Sequence, residues 1–384
     1  MGEKEVQHIL IGILYSALNE VENDTSIKEK LTPDIFESLY HLAKKHDLAH
    51  ILYDYFCTNK IEVEPELRVK LQREKYTSIF RCEQIKFVLE EVCIAFDEAK
   101  ISYVPLKGSV IRPYYPFESM RTSCDVDILI HEADLDSAIS ILESKGYRCE
   151  GRNYHDISLY SPSNVHLELH FNIQENMDNI DAVLKDAWKY VIISNECQSA
   201  FQKDFFVFHI YAHMAYHFLS GGCGIRSLMD IWVMENKMNA THSCAEKLLK
   251  KAGVYQFAVE MTNLAEQCFT ANNIDSFSDT VLNYIFNGGV YGCAENNITV
   301  KKLKTKSPVV YVLKRLFLPY KSMVTLFPFL KKSPYLLPFC WVARWLKAIF
   351  GGKSKRIISE ISRVNNISDN KIEELKKICS QLGL

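Results

Sequence analysis

The stretch Tyr103-Val-Pro-Leu-Lys-Gly-Ser109, followed by Cys124-Asp-Val-Asp-Ile-Leu-Ile130, decides the fold of this chain. Successive side chains of a β-strand point to opposite faces, so the second segment predicts a strand with Asp125 and Asp127 on one face and Val126 in the core. Two adjacent carboxylates require a cation, and their hard oxygen atoms suit Mg²⁺, which takes substrate phosphates as further ligands. The alternative interpretation is an ordinary exposed strand face.

A lysine and a glycine end the first apolar run of this region. Gly108 can adopt a positive φ and lets backbone N–H groups approach a phosphate, with Ser109 directly after it. Lys107 has two interpretations, a phosphate contact or a solvated lysine before a turn. Arg121 lies four residues before the first aspartate, and a guanidinium can bind a phosphate through two hydrogen bonds. These four residues are the predicted phosphate and nucleotide contacts.

A third acidic residue follows on a later predicted strand. The stretch Asn164–Phe171 alternates apolar and polar residues, and so does Asp156–Ser161 before it. The Ser-Pro-Ser-Asn sequence between them is typical of a hairpin turn. Glu168 is thereby predicted on a strand beside the two aspartates. His170 shares its face, where it would contact substrate or orient the glutamate.

These motifs resemble the nucleotidyltransferase superfamily, which is related to DNA polymerase beta, and within it the bacterial nucleotidyltransferase family proteins. The superfamily pattern is an apolar strand, Gly-Ser, a short helix, Asp-x-Asp on a strand and a third carboxylate on a later strand. The narrower likeness rests on Leu106-Lys-Gly-Ser-Val-Ile111, on Tyr115-Pro116, on Arg121 and on Leu167-Glu-Leu-His170. Further similar segments are His41–Leu52, His209–Asp230, Leu316–Pro319 and Ser333–Pro338.

The resemblance implies transfer of a nucleoside monophosphate from an NTP, such as ATP, to a hydroxyl group of an unknown acceptor, with release of pyrophosphate. Asp125, Asp127 and Glu168 would be catalytic and would hold the Mg²⁺, with Mn²⁺ as the alternative ion. The chain departs from the pattern in the fifteen residues between Ser109 and Asp125, slightly more than usual. The path of the intervening helix therefore stays open.

Two other functions remain alternatives at this stage. The first keeps the chemistry but takes a macromolecular acceptor, a tRNA end or a protein side chain, as toxin-like relatives of the superfamily do. The second is a non-catalytic nucleotide-binding or scaffold protein on a degenerate version of the fold. The retained acidic triad favours an enzyme over the second alternative.

The pattern of apolar residues predicts an α+β protein in three parts. Residues 1–98 have helical spacing, residues 99–177 alternate strands and helices in a small α/β nucleotidyltransferase core with a mixed sheet, and residues 178–384 return to helices. A helix is predicted over roughly Thr77–Ala99, just before the first strand, and within the core Asp134–Lys145 carries an apolar stripe and predicts another helix. The last helix is predicted over Asn370–Leu382.

Composition indicates a globular protein, with 48% apolar and 24% charged residues. The N-terminus lacks the features of a signal peptide, and the scattered cysteines suit reduced thiols, so we expect a cytoplasmic protein. Residues 301–360 contain fourteen Lys and Arg against one Glu and many aromatic residues. This basic segment would bind nucleic acid, lie on an anionic membrane surface, or be the solvated face of a helical region. Arg344 and Lys347 argue against a transmembrane span there.

Three histidines, His209, His213 and His217, recur every four residues and so share one side of a helix. They would form a transition-metal site, a buried and hydrogen-bonded helix face, or a wall of the acceptor pocket. The family likeness favours the third interpretation for His213 and His217, together with Arg226 and Asp230. The predicted acceptor pocket consists of His170, His213, His217 and Arg226. Arg226 is also predicted to form an ion pair with Asp230, one turn further along the helix.

Overall fold

The structure is a computed structural model that describes residues 2–21, 25–193, 197–271, 273–290, 292–304, 316–350 and 369–384. Helices dominate it on both sides of a central sheet. The helices α1 to α17 span, in chain order, Glu3–Leu18, Thr25–Lys28, Pro33–Lys45, Ala49–Thr58, Pro65–Ala99, Gly108–Ile111, Leu135–Ser144, Asp178–Leu184, Lys203–Leu219, Ile225–Asn236, Glu246–Lys251, Tyr255–Phe269, Ser276–Gly288, Ala294–Lys304, Tyr320–Leu326, Leu337–Phe350 and Asp369–Leu382. None of the helices in the described ranges is both long and apolar enough to cross a membrane.

A mixed five-stranded sheet holds the centre of the molecule, in the order β1-β2-β5-β4-β3. Its strands β1 to β5 are Tyr103–Pro105, Asp125–Ile130, Arg148–Arg152, Asp156–Tyr160 and His166–His170. The pair β2 and β5 is parallel, and the other three pairs are antiparallel. Together with the flanking helices, this sheet confirms the predicted α+β class. The predicted hairpin between β4 and β5 is also present, with Asn164 at φ 64° in its turn.

One face of the sheet is apolar because alternate residues of its strands are Val, Ile and Leu. Val126, Ile128 and Leu167 are buried there against the long helix α5 and against α7. The opposite face carries the polar members of the same alternation. A second and larger core lies on that side, and it contains residues from α1 to α4 as well as from α9, α10, α12 and α13. The polar face of the sheet is thus enclosed between strands and helices.

Four elements differ from the sequence prediction. Strand β3 was not predicted, because all five of its residues are exposed and it lacks an apolar alternation. A separate pair of strands, β6 (Val191–Ile193) and β7 (Ser199–Phe201), lies in the region predicted to be helical throughout. Helix α5 begins at Pro65, well before the predicted Thr77, with proline at its first position. Residues 305–315 and 351–360 of the predicted basic segment lie outside the described residues.

Candidate active site

The three predicted carboxylates lie on the polar face of the sheet. Asp127 on β2 is the register partner of Glu168 on the parallel strand β5. Paired residues of neighbouring strands point to the same side, and Asp125 lies two residues before Asp127 on that side. All three residues line one cavity of about 310 Å³. The sheet therefore brings together residues that are separated by more than forty positions in the sequence.

Two cationic groups contact the buried carboxylate of Asp127. The Lys107 Nζ atom lies 3.1 Å from Asp127 Oδ1, and His170 Nε2 lies 2.8 Å from the same oxygen. His170 Nε2 also lies 3.3 Å from Glu168 Oε2. The alternative of a solvated Lys107 is thus wrong, because its ammonium group forms an ion pair with a site carboxylate.

Burial and charge set the protonation states in this cluster. Burial opposes the charge of Asp127, but Lys107 and His170 outweigh it and hold the pKa of Asp127 well below its usual range. Burial likewise opposes charge on His170, yet its hydrogen bonds to Asp127 and Glu168 raise the pKa of His170 to about 9. Burial raises the pKa of Asp125, and the like charge of Asp127 raises it further. A cation added to this cavity would relieve that repulsion.

The donor atoms of the cluster fit a divalent cation. Ligand atoms of Asp127, Glu168 and His170 all lie within 4.8 Å of one another. Asp125 is outside that tight group, although its carboxylate lines the same cavity. Carboxylate oxygens suit Mg²⁺ and Mn²⁺, and an imidazole nitrogen is a ligand for transition metals. Ligand atoms of a second group beside the first, His155, Asp156 and His170, also lie within 4.8 Å of one another.

Gly108 lies directly against a buried guanidinium. A Cβ atom at this position would be 2.3 Å from Arg121 Nη1. Arg121 is held there by Asp230 of α10, through Nε to Oδ1 at 2.7 Å and Nη2 to Oδ2 at 2.8 Å. The Tyr115 hydroxyl donates to Asp230 Oδ1 at 2.7 Å. Two of the nitrogen atoms of Arg121 are therefore bound to Asp230, and the third, Nη1, lies nearest to the glycine.

The sequence matches the model of the uncharacterised nucleotidyltransferase family over residues 33–270. The chain belongs to this family. Among solved structures, it is similar to the solution structure of the antibiotic-resistance factor ANT(2'')-Ia, with 11% sequence identity and a TM-score of 0.27, over 50% of this chain and 93% of that chain. The comparison with curated proteins gives no match. The predicted family is thus confirmed, and the protein is a transferase.

Helix α9 gives the nucleotidyltransferase a histidine wall across the cavity from the sheet. His213 Nδ1 lies 2.7 Å from Glu175 Oε1, and His213 Nε2 lies 3.1 Å from His217 Nε2. His209 is buried, and its Nδ1 has no hydrogen-bond partner among the described residues. Within the described ranges, the metal-capable groups do not include these histidines. His209, His213 and His217 all line the cavity.

The predicted ion pair between Arg226 and Asp230 is wrong. Asp230 binds Arg121 and Tyr115 instead, and Arg226 Nη1 donates to the Thr122 carbonyl at 2.5 Å. The physical reason is that the buried carboxylate meets a bidentate partner from the loop before β2, which satisfies both of its oxygen atoms. Arg226 still lines the cavity of this nucleotidyltransferase.

Sequence reasoning missed three residues of the enzyme's cavity region. Glu175 lies in the loop after β5, where its carboxylate accepts from His213. His155 and Asp156 lie at the start of β4, and Asp156 is the register partner of His170. The alternation of β4 placed Asp156 on a face with Ser158, but only the pairing of β4 with β5 brings it beside the site. Glu175 carried no local signal, because its partner lies on a helix 38 residues away.

Proposed function

We propose that this nucleotidyltransferase transfers a nucleoside monophosphate from an NTP to a hydroxyl group of its acceptor and releases pyrophosphate, with Mg²⁺ or Mn²⁺ as cofactor. The single observation that supports this most is that Asp125, Asp127 and Glu168 line one cavity, in which Lys107 contacts the carboxylate of Asp127. The three carboxylates would hold the metal. A divalent cation bound there supplies charge neutralisation for the phosphates and activates the acceptor oxygen.

Residues of the turn after β1 would receive the phosphates. Gly108 and Ser109 line the cavity next to the carboxylates and are the proposed contacts of the terminal phosphates. Lys107 keeps Asp127 ionised in the free protein, and its ammonium group is positioned to contact a phosphate once a metal takes over that carboxylate. Arg121, fixed by Asp230, is a positioning residue for Gly108 and presents Nη1 toward it.

The histidine wall is the proposed acceptor side of the cavity, with His170 and Arg226 completing it. Burial and the charge of Lys107 lower the pKa of His213 well below its usual range. Burial and His213 lower the pKa of His217 to about 3. Both imidazoles are therefore neutral at physiological pH, and a neutral imidazole can accept a hydrogen bond from a hydroxyl group. This supports an uncharged hydroxyl as the acceptor group.

Substitution of the aspartates tests the proposal. Asp127→Asn and Asp125→Asn each remove one metal-binding charge, so we expect pyrophosphate release to fall at least about a hundredfold, in line with loss of a transition-state charge contact. Mg²⁺-dependent thermal stabilisation by each of the four NTPs measures binding separately. Asp136→Asn is the matched control, since Asp136 is exposed on α7 outside the cavity. Full activity in either site variant, or no NTP that stabilises the wild type with Mg²⁺, would refute the assignment.

A macromolecular acceptor is the second candidate, and exposed aromatic residues in the described part of the basic segment favour it. Tyr335 and Phe339 are 76% and 72% exposed. Lys331 and Lys332 are also exposed beside them in sequence. Aromatic rings with nearby lysines suit base stacking and phosphate attraction. This candidate keeps the same active-site chemistry and changes only the molecule that receives the nucleotide.

A further inference from the structure

Helix α5 exposes large apolar side chains along most of its length. Its buried side packs on the sheet and on α4, whereas five large apolar residues on the other side are between 50% and 64% exposed. These residues are Val69, Tyr76, Phe80, Phe87 and Ile94. Large exposed apolar side chains that are grouped on one surface often mark an interaction site. We call this set, with the three polar residues that complete its spacing, the α5 stripe.

The spacing of the α5 stripe is that of a coiled-coil seam. Arg73, Glu83 and Glu90 lie between the apolar members and are exposed. From Val69 to Ile94 the eight positions follow one another at alternating steps of four and three residues. This 3.5-residue period is the one by which a helix keeps a single face toward a second helix. The stripe is therefore suited to a helical partner.

The stripe is complementary to itself when two copies run antiparallel. With a twofold axis between positions 81 and 82, the position numbers of facing residues add up to 163. Val69 then faces Ile94 and Tyr76 faces Phe87, so apolar residues meet apolar residues. Arg73 faces Glu90, so opposite charges meet. A twofold interface uses the same patch on both subunits, and such a patch must have this property.

We propose that the α5 stripe is the dimer interface between two copies of this chain. Arg73 and Glu90 make no ion pair with any described residue of their own chain, which leaves both charges available to the second copy. At the centre of the interface, Phe80 faces Glu83, whose carboxylate lies 3.7 Å from Lys86 Nζ, an ammonium group that also pairs with Glu118 at 2.7 Å. Three aromatic and two aliphatic side chains at these exposures offer roughly 500 Å² per chain. Two chains with their flanking residues reach the order of the 1,200 Å² that stable interfaces bury.

Light scattering coupled to gel filtration of the full chain tests the proposal. We expect the wild type to have the mass of a dimer at micromolar concentration. In the twofold interface, Arg73→Glu and Glu90→Arg each make like charges face each other at two places. Each single variant should therefore be monomeric or associate at least about tenfold more weakly. The double variant restores both ion pairs and should regain the dimer. Arg68→Glu, an exposed arginine of α5 off the stripe, should remain dimeric.

A mixture of the two single variants gives an independent readout. When an Arg73→Glu chain pairs with a Glu90→Arg chain, opposite charges face each other at both charged positions. When either variant pairs with itself, like charges face each other there. We therefore expect two monomeric preparations to combine into a dimer on mixing. The proposal is overturned if the wild type is monomeric, or if the double variant and the mixture both stay monomeric. The α5 stripe would then contact a different protein or an undescribed part of this chain. Circular dichroism of each variant excludes unfolding as the cause.

Discussion

At the scale of single residues, Lys107 is held in a backbone conformation that side chains rarely adopt. Its φ is 44° and its ψ is −109°. Conformations of this kind cost on the order of 1–3 kcal/mol and persist only where surrounding contacts enforce them. The Leu106 N–H donates to the Asp127 carbonyl at 3.0 Å, and the Lys107 ammonium contacts the Asp127 side chain. The turn is thus fixed to β2 by backbone and side chain together, which positions the ammonium in the cavity.

Gly108→Ala should disrupt the same turn. The added methyl group would lie 2.3 Å from Arg121 Nη1, and Arg121 cannot move aside without breaking its two hydrogen bonds to Asp230. We expect a loss of about 1–3 kcal/mol in the free energy of unfolding, as for other overpacked sites. NTP binding should weaken as well. Denaturant titration and NTP-dependent thermal stabilisation measure the two effects.

Gly151→Ala is the control for that substitution, because a Cβ atom at Gly151 meets no atom within 4 Å. It should leave both measurements unchanged. In an Arg121→Met background, the Gly108→Ala substitution should cost less, since the rigid guanidinium is gone. Equal losses in the two backgrounds would contradict a clash with Arg121 as the cause.

The sequence was informative about residues whose geometry is local. Strand alternation placed Asp125 and Asp127 on one face, and the Ser-Pro-Ser-Asn turn placed Glu168 on the returning strand, because both depend on neighbours in the chain. The partner of Arg121 could not be obtained in this way. Asp230 lies 109 residues away from Arg121. On its own helix, Arg226 lies one turn before it and is an equally plausible ion-pair partner from the sequence alone. The choice between the two depends on tertiary packing.

At the scale of elements, the misses have a common physical origin. β3 (Arg148–Arg152) is an exposed edge strand, so no buried face imposes an apolar period on its sequence. Helix α5 has two apolar faces, one in the core and one in the α5 stripe, and this weakens the single-face pattern on which helix boundaries are predicted. Where apolar and polar residues alternate strictly, as in β5 (His166–His170), the prediction was right.

Asp230→Asn tests how α10 is connected to the loop before β2. Burial opposes the charge of Arg121, but Asp230 outweighs it and raises the pKa of Arg121, so the guanidinium stays charged in the interior. Removing the carboxylate charge leaves that guanidinium uncompensated. The expected loss is about 3–5 kcal/mol in the free energy of unfolding, measured by denaturant titration.

The double variant Asp230→Asn with Arg121→Met separates charge from packing. It removes both charges, so it should be more stable than Asp230→Asn alone. Arg226→Met is the matched control on the same helix, because among the described residues Arg226 donates to the Thr122 carbonyl and not to a carboxylate. If the free energy of unfolding of Asp230→Asn falls by less than about 1 kcal/mol, the buried ion pair does not stabilise the protein as expected.

At the scale of the whole molecule, helices from both ends of the chain share one core above the polar face of the sheet. Residues of α1 and α4 belong to the same apolar cluster as residues of α9, α10 and α13. Gln7 on α1 donates to Asn283 on α13 at 3.1 Å. The three-part division at residues 98 and 177 therefore stays a prediction about chain order, while the helices before and after the sheet pack together in one core.

The exposed aromatic residues and lysines of 316–350 lead to the last prediction. If this surface binds an RNA acceptor, affinity measured by fluorescence anisotropy should fall with salt, and Lys331→Glu with Lys332→Glu should lower the slope of log affinity against log salt by roughly 1–2. Tyr335→Ala should weaken binding about tenfold through lost stacking, with little change in that slope. Lys28→Glu with Lys30→Glu, an equal charge change on another exposed surface, is the control. If RNA affinity changes neither with salt nor with any of the three site substitutions, this surface is not the RNA-binding site. Binding to anionic vesicles and not to RNA would assign the surface to a membrane.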